Sequence, residues 1–463
     1  MKITIQQIAK AIGAEIKGCG KNIYSHMSFG ASIDTRSLKK GDVFFAINGE
    51  NADGHAYVSQ AFKKGAAACV VKKGWKGVKK TEGLLFCVKN PQKALWDMAS
   101  FYRSLLKARV IAITGSNGKT TCKDMIGAIL AGSKYALVSE GNLNNHLGVP
   151  LMILRAMPEH RILVLELGTN HFGEISRLSR LAMPDIGVIT AVGESHLEFF
   201  RTINNVAKEK MEIVHGMKKG GALVLNGDSP YLRNITKIAG IKMVTYGSGS
   251  HVKYRFSNLI VDNRRIRFKI GREEFSLSIL GRHNAYNATA AFVVGRLLGY
   301  GTKVIKNRLK RFKPRQLRME IIRKRNIIIL NDCYNANPPS MAAALQTFKS
   351  LNVKGKRIAV LGDMFELGSK SASLHYQVGL KYASGLDRIF LFGEKTKELC
   401  KGAFKNGFPK IYVAHFSKST DLIRRLICTV ESGDAVLIKG SRGMKMENIT
   451  VELLNFLERG NHL

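Results

Sequence analysis

Short apolar runs alternate along the chain with segments of helical spacing. Ile3, Ile5, Ile8 and Ile12 predict a short amphipathic helix at the start. Asp42–Ile47 and Ala67–Val71 read as strands, and the polar loop from Asn48 to His55 between them carries Gly49 and Gly54. An apolar-rich helix, Gln92–Leu106, leads to a boundary at Lys107–Arg109. The run RVIAIT then stops at Gly115, and a helical pattern follows to near Gly132. Gly141–Leu154 is a polar loop entering a helix, with Pro150 near its first turn. Arg161–Leu167, Ile186–Ala191 and Ala222–Asn226 read as buried strands, and a helix is expected from Ile203 to about Met217. Lys242–Ile279 is strand-rich with hairpin alternation, and Gly281–Ala291 enters a helix of small residues. Beyond it, strands are expected at Asn326–Leu330, Arg357–Gly362, Arg388–Gly393, the KIYVAHF run and Asp434–Gly440, with helices between them. Pro338 and Pro339 suit the first turn of one of those helices.

This order predicts an α/β protein of three domains. Residues 1–107 form a small α/β domain. Residues 108–313 form a central domain of the P-loop type, a mostly parallel sheet with a side sheet. Residues 314–463 form a Rossmann-like, doubly wound domain. A chain of 463 residues is too long for one core, which agrees.

Composition changes the picture in one respect. It is 45% hydrophobic and 23% charged, ordinary for a soluble protein, yet the formal net charge is +39. Nucleic-acid binding would account for that charge, and a nucleic-acid-stimulated NTPase is the alternative it raises. However, Lys and Arg are spread along the whole chain and no basic stripe is interleaved with aromatics. A solvated basic surface, or attraction of small polyanionic substrates, explains the charge without nucleic acid. Seven cysteines without CxxC pairs argue for reduced thiols and against a disulfide frame or zinc site. The N-terminal stretch has no long apolar core and no run is long enough to cross a bilayer, so a soluble, cytoplasmic, monomeric protein is expected.

The clearest chemistry lies at IAITGSNGKTT. A strand, then Gly115, Ser116, Asn117 and Gly118, then Lys119, Thr120 and Thr121 opening a helix is the layout of a phosphate-binding loop. Its amides and the helix N-terminus face an anion, Lys119 sits on terminal phosphates and Thr120 reaches Mg²⁺. Ile113 stands where the longer form of this motif has a glycine. Glu166, at the carboxyl end of a buried strand, is placed to help hold that metal. His196, taken alone, is a structural histidine or a ligand. Lys208, Glu209, Lys210 and Glu212 read as a charged helix face. Asn284 and Asn287, three apart, face one ligand. Arg36 alone reads as half of a surface ion pair. After the later strands come Asp332, Asn335 and Asn337, then Asp363 and Glu366, then Lys439, Ser441 and Arg442, at the sheet edge where ligands bind. No GxGxxG fingerprint opens that sheet, no nucleophile triad stands out, and Cys333 reads as packing.

Together, TGSNGKTT, HNAYNATAA and the three-region layout resemble the Mur ligases of peptidoglycan synthesis, a superfamily that also includes folylpolyglutamate synthase. GNLNNHLGVPLMIL, ELGTNHFGEI, NDCYNANPPSM, LGDMFELG with His375 following, KGSRGMKME and DTRSLKKGDVFFAINGENADGH resemble the branch that couples D-alanyl-D-alanine to UDP-N-acetylmuramoyl-tripeptide. Another amino-acid ligase of the superfamily is the neighbouring alternative. Two departures are Asp-Thr-Arg in place of Asp-Ser-Arg, and PRQLRMEI without a glycine before its arginine. The resemblance implies ATP and Mg²⁺ as cofactors and an acyl-phosphate intermediate. It implies that Lys119 and the loop amides hold the ATP phosphates, that Thr120 and Glu166 bind one Mg²⁺, and that His196 binds a second. Lys210 matches the lysine that is carbamylated in the family, with Lys208 as rival. Asn284 and Asn287 would touch adenine, Asp332 the ribose and Arg318 the γ-phosphate. Asn144 and Asn145 would contact the muramyl-peptide, and Thr35, Arg36, Asn48 and Gly49 the uridine diphosphate. Asn335 and Asn337 would receive D-alanyl-D-alanine.

Overall fold

The computed structural model describes residues 3–18, 27–28, 30–49, 52–81, 83–131 and 133–459. Each of its three large sheets draws its strands from one of the three regions expected above. Glu50 and Asn51 of the first-region loop, and Gly132, lie outside the described residues.

The first region begins with the helix Ile5–Ile12, which buries Ile5, Ile8 and Ile12 and is capped by Thr4 in a reciprocal box with Gln7. Its five-stranded sheet runs Glu15–Lys17, Leu85–Val88, Ala68–Lys72, Asp42–Phe45, Gly30–Ser32; only the Glu15–Lys17 pairing is antiparallel. The Pro91–Leu105 helix starts at Asn90, whose side chain accepts from the amides of Gln92 and Lys93. Arg103 ties this helix to the central region. Its buried guanidinium donates to the carbonyls of Ala182 (2.7 Å), Met183 (3.2 Å) and Leu106 (3.0 Å), so the cation is buried with acceptors in place.

The central sheet has nine strands: Ala136–Val138, Ile162–Glu166, Arg109–Thr114, Ile186–Ile189, Ala222–Asn226, Lys242–Gly247, Tyr254–Val261, Ile266–Ile270 and Glu273–Leu277. Alternation along Arg109–Thr114 divides the core. Val110 and Ala112 pack on the side of the Pro91–Leu105 helix, while Ile111 and Ile113 pack with residues of the helices Lys119–Ile129 and Arg282–Leu297. The expected side sheet is continuous with the parallel one. It attaches through two residue pairs, Tyr246 with Tyr254 and Gly247 with Arg255, after which the hairpins are antiparallel. The helix after Ile203 is α-helical only to Met211 and tightens into a 3₁₀ turn over Glu212–Gly216. There the Ser179 hydroxyl donates to the Ile213 carbonyl and Gly216 lies against the Ser179 backbone with no room for a Cβ. The helix after Gly118 ends at Ile129, short of Gly132.

The third sheet runs Glu320–Lys324, Ile327–Asn331, Ala435–Lys439, Arg357–Gly362, Arg388–Phe392, Val413–Phe416, parallel except for its first pair. Ala435–Lys439 lies between Ile327–Asn331 and Arg357–Gly362. The carboxyl ends of these three strands bring Asp332, Asp363, Lys439 and Ser441 together, as a doubly wound sheet places its ligand edge.

Candidate functional site

One cavity of about 1040 Å³ is lined by all three regions. It extends from Gln92 and Trp96, past the loop Ser116–Thr121 and Glu166, to Arg318, Asp332, Tyr334 and Arg442.

The phosphate loop is held in shape from behind. Gly115 and Gly118 have φ of 144° and 83°. A Cβ at Gly118 would lie 2.4 Å from Asn287 Oδ1 and one at Gly115 2.2 Å from Thr190 Oγ1, so both positions need glycine. Thr190 Oγ1 donates to the Asn117 carbonyl (2.6 Å), the Ser116 amide donates to Ala191 O (2.7 Å), and Ser195 Oγ donates to Ser116 Oγ (2.8 Å). Lys119 Nζ folds back onto Gly115 O at 2.6 Å. Burial lowers the Lys119 ammonium below its ordinary range, opposed by Glu166 and assisted by Arg318. An incoming phosphate would replace Gly115 O with a full negative charge.

Glu166 is buried beside that loop. Its Oε1 accepts from Thr120 Oγ1 (3.2 Å) and Asn144 Nδ2 (2.9 Å), whereas its buried Oε2 has no hydrogen-bond partner. A carboxylate oxygen left free beside a threonine hydroxyl and a phosphate loop fits a Mg²⁺ that arrives with nucleotide, since this ion takes one or two carboxylates and completes its shell with phosphate and water. Among the described residues no group of three or more His, Cys, Asp or Glu could hold a metal by itself.

His196 sits at φ 52° with Nδ1 2.7 Å from Glu366 Oε2, a residue of the third region. The hydrogen bond with His196 holds the Glu366 carboxyl below its ordinary value. The charged-face expectation for the Ile203–Met211 helix is corrected at two positions. Lys208 is exposed, but Glu209 and Lys210 are buried. Glu209 accepts from the amides of Gly173 (2.8 Å) and Ile175 (2.9 Å) and from Thr169 Oγ1 (3.2 Å), so it caps the Glu174–Ala182 helix from outside. Lys210 Nζ lies 5.8 Å from the Phe200 ring centre. Burial, reinforced by Lys119, lowers its ammonium well below the ordinary lysine value. Lys208 stays in solvent, whereas the burial of Lys210 favours its neutral amine. Lys210 itself does not line the cavity.

On the far wall Asn287 Nδ2 donates to Asn284 Oδ1 (3.0 Å), and Asn284 Nδ2 to Leu280 O (2.7 Å). Asp332 is occupied: Lys439 Nζ is 2.6 Å from Oδ2, and the Met319 amide donates to Oδ1 at 3.0 Å. Arg318 stacks on Tyr334, 3.9 Å from the ring centre, which fixes its fork without using its hydrogen-bond donors.

Several expected contact residues already have local duties. Asn145 Oδ1 caps the Gly148–Leu154 helix by accepting from the amides of Leu147 and Gly148. Asn337 caps the Pro338–Lys349 helix, and its amide pairs reciprocally with Asn117 of the phosphate loop at 3.1 and 3.2 Å. Asn335 Oδ1 accepts from the Ala336 amide (2.9 Å). Asn144, Asn145, Asn335 and Asn337 all line the cavity, but Thr35, Arg36, Asn48 and Gly49 do not. Thr35 is buried against Gln60 (2.8 Å), and Arg36 pairs with Asp34 on the surface at 2.6 Å. Gly49 closes its own loop on Ala52. His375 is buried and holds the loop that delivers Glu366, accepting at Nε2 from the Met364 amide (3.0 Å). Burial pushes the Cys333 thiol up to about 12, which suits packing.

Trp96, His283, Tyr286 and Tyr334 line the cavity although their spacing gave no sign of it. They come from three separate segments, His283 and Tyr286 sharing the Arg282–Leu297 helix, so only folding brings them together. Lys123 was legible only in part: it lies four residues after Lys119, on the same helix face.

The phosphate loop and Glu166 of the central region meet the ligand edge of the third sheet in one cavity, the layout of a nucleotide site shared between domains. The chain belongs to the Mur ligase family, a class of ATP-dependent ligases. Residues 30–101 match the Mur ligase family catalytic domain, 113–295 the Mur ligase middle domain, and 317–442 the Mur ligase glutamate ligase domain. The chain is 38% identical to the UDP-N-acetylmuramoyl-tripeptide–D-alanyl-D-alanine ligase of Bacillus subtilis, over 97% of this chain and 99% of that protein. It is 33% identical to the enzyme of the same name from Escherichia coli, over 97% and 98%. Among solved structures it resembles MurF from Acinetobacter baumannii, with TM-score 0.88, 28% identity and coverage of 98% and 99%. It also resembles the MurF ligase from Thermotoga maritima in complex with ADP, with TM-score 0.81, 26% identity and coverage of 93% and 98%.

Proposed function

We infer that this chain is the ATP-dependent ligase that joins D-alanyl-D-alanine to UDP-N-acetylmuramoyl-tripeptide in peptidoglycan precursor synthesis. The observation that carries the reading is the single cavity in which Lys119, Thr120 and Glu166 face Arg318 and Asp332 of another region. The γ-phosphoryl group passes to the terminal carboxylate of the tripeptide as its bond to ADP breaks. The D-alanyl-D-alanine amine then attacks the acyl carbon, the amide bond forms, phosphate leaves and the amine gives up a proton.

Such a transfer asks the protein for positioning and charge neutralisation. Lys119 and the loop amides hold the phosphates. Asn284 and Asn287 present amides to the adenine, and Arg318 extends its stacked guanidinium toward the γ-phosphate. Asp332 serves the ribose once it shares Lys439 with the ligand. Thr120 and Glu166 would hold Mg²⁺, with His196 at a second ion after it leaves Glu366; the metal supplies neutralisation of developing phosphate charge. Lys210, lowered by burial toward the neutral amine, is suited to add CO₂ as a carbamate. Asn144 and Asn145 face the muramyl-peptide, and Asn335 and Asn337 the incoming dipeptide. Thr35, Arg36, Asn48 and Gly49 lie outside the cavity, and a role for them with uridine diphosphate needs the substrate to reach beyond it. Domain limits at 107 and 313 are proposed with this reading. Action as a monomer is proposed with it; ATP and a UDP-linked precursor as substrates support a cytoplasmic setting.

Mass spectrometry of a mixture of the chain, Mg²⁺-ATP, the tripeptide and D-alanyl-D-alanine tests the reading. The expected product has the combined mass of the two substrates less one water. Recovery of both substrates unchanged would contradict it.

A further inference from the structure

Lys123 stands four residues after Lys119 and three after Thr120, so it shares their face of the Lys119–Ile129 helix, and that face meets the end of the Ile162–Glu166 strand. Its side chain is fully buried. Nζ lies 3.7 Å from Glu166 Oε2 and 3.5 Å from Asp124 Oδ1 but makes no hydrogen bond, and Glu166 Oε2 makes none either. Arg315 grips Asp124 from the other side, with Nε 2.7 Å from Oδ2 and Nη2 2.9 Å from Oδ1. Arg315 belongs to the segment that joins the central region to the third. A buried ammonium without an acceptor is costly, so a position needed only for packing would favour an apolar side chain. Here two carboxylates and two cations balance in one row that is buried at Lys123 and Glu166 and reaches solvent at Arg315.

We propose that Lys123 is a positioning residue that keeps Glu166 neutralised until nucleotide arrives, so that the carboxylate takes Mg²⁺ as a nucleotide complex and rejects the bare ion. This rests on the reading of Glu166 as a magnesium ligand. Glu166 Oε1 is already used by Thr120 and Asn144, which leaves Oε2 for the metal. A bare divalent ion at Oε2 would meet the Lys123 ammonium with no added anion to offset it. A nucleotide on the loop brings its phosphate charge with the ion and removes that penalty. Arg315 holds Asp124 so that it does not draw Lys123 away from Glu166.

Binding of Mn²⁺ as a probe, followed by electron paramagnetic resonance on the full chain with and without ADP, tests this without turnover. The unaltered chain is expected to bind Mn²⁺ at least about tenfold more tightly with ADP than without. In Lys123→Met the nucleotide-free affinity is expected to rise about tenfold, narrowing that difference, because the repelling cation is gone. In Arg315→Gln, a change at an exposed residue, Asp124 captures Lys123 and nucleotide-free affinity rises by about threefold. Should Lys123→Met fail to fold, Arg315→Gln decides the matter by itself. Nucleotide-free affinity unchanged in the folded variants overturns the role of Lys123. Failure of the unaltered chain to bind Mn²⁺ even with ADP overturns the metal role of Glu166 on which it rests.

Discussion

Glu209→Ala is the most informative single change outside the cavity. It removes the acceptor of the buried Ile175 amide and of the part-buried Gly173 amide at the start of the Glu174–Ala182 helix, while the Thr169 hydroxyl keeps its shorter bond to the His171 carbonyl (2.7 Å). An orphaned buried donor costs about 1–3 kcal/mol, so the two amides, one of them partly open to water, give about 3 kcal/mol. For a domain the size of the central region each kcal/mol shifts the midpoint by about 2–4 °C, so the drop is about 6–12 °C. Glu209→Gln keeps one acceptor oxygen without charge, and roughly half the loss is expected, because charge-assisted bonds are about twice as strong as neutral ones. Calorimetric scans of the three proteins, resolved into their transitions, measure this. A midpoint of Glu209→Ala within about 1 °C of the unaltered chain would refute the capping role, since even one orphaned donor exceeds that.

Further outcomes follow from the same geometry. Lys119→Ala is expected to lower turnover on the order of 10³-fold by removing the charge at the terminal phosphates, and near-normal steady-state rates would contradict the loop's role. Lys210→Ala should lose activity and regain part of it with added short carboxylic acids, whereas full activity without them would reject a carbamylated lysine. Alkylating reagents at pH 8 should label the exposed Cys428 and spare Cys333, whose thiol is pushed up to about 12, and Cys333→Ala should keep its turnover; peptide mapping reads the labelling and a steady-state assay the turnover, and labelling of Cys333 or a lost rate would contradict a packing role. Asp228 is opposed by burial, but bonds from Ser248, Tyr286 and Gly249 prevail and depress its carboxyl. Its folded value thus lies below its unfolded one, and its contribution is present above the unfolded value near about 4 and lost as pH falls through the folded one. The stability difference between the unaltered chain and Asp228→Asn, from denaturant titrations, should be level above about pH 5 and shrink below pH 4; a difference independent of pH would contradict it.

The strands and helices were legible because period-two and helical patterns are local. The run Arg161–Leu167 carries Glu166 at its carboxyl end, and RVIAIT ends on the glycine loop, so the site's frame could be seen from adjacent residues. Glu209 and Lys210 could not: on a helix between Lys208 and Glu212 they look like a solvated face, and only folding buries them, Glu209 at the start of the Glu174–Ala182 helix and Lys210 over Phe200. The joining of the side sheet to the parallel sheet rests on two residue pairs that no local pattern specifies. Asn117 and Asn337 are 220 residues apart, and their mutual amide pair depends on how the central and third regions meet. Asn145 and Asn337 also cap the helices that follow them within three residues, a local duty separate from their place on the cavity wall.

The central claim is that phosphoryl transfer from ATP is coupled to two further substrates in the cavity between the regions. ADP release with UDP-N-acetylmuramoyl-tripeptide and D-alanyl-D-alanine, each alone and together, tests it most directly, with the peptide in its diaminopimelate and lysine forms. Release stimulated only by the pair, for at least one form, is the predicted result. Stimulation by single amino acids in place of the dipeptide, by nucleic acid, or by nothing at all would contradict it.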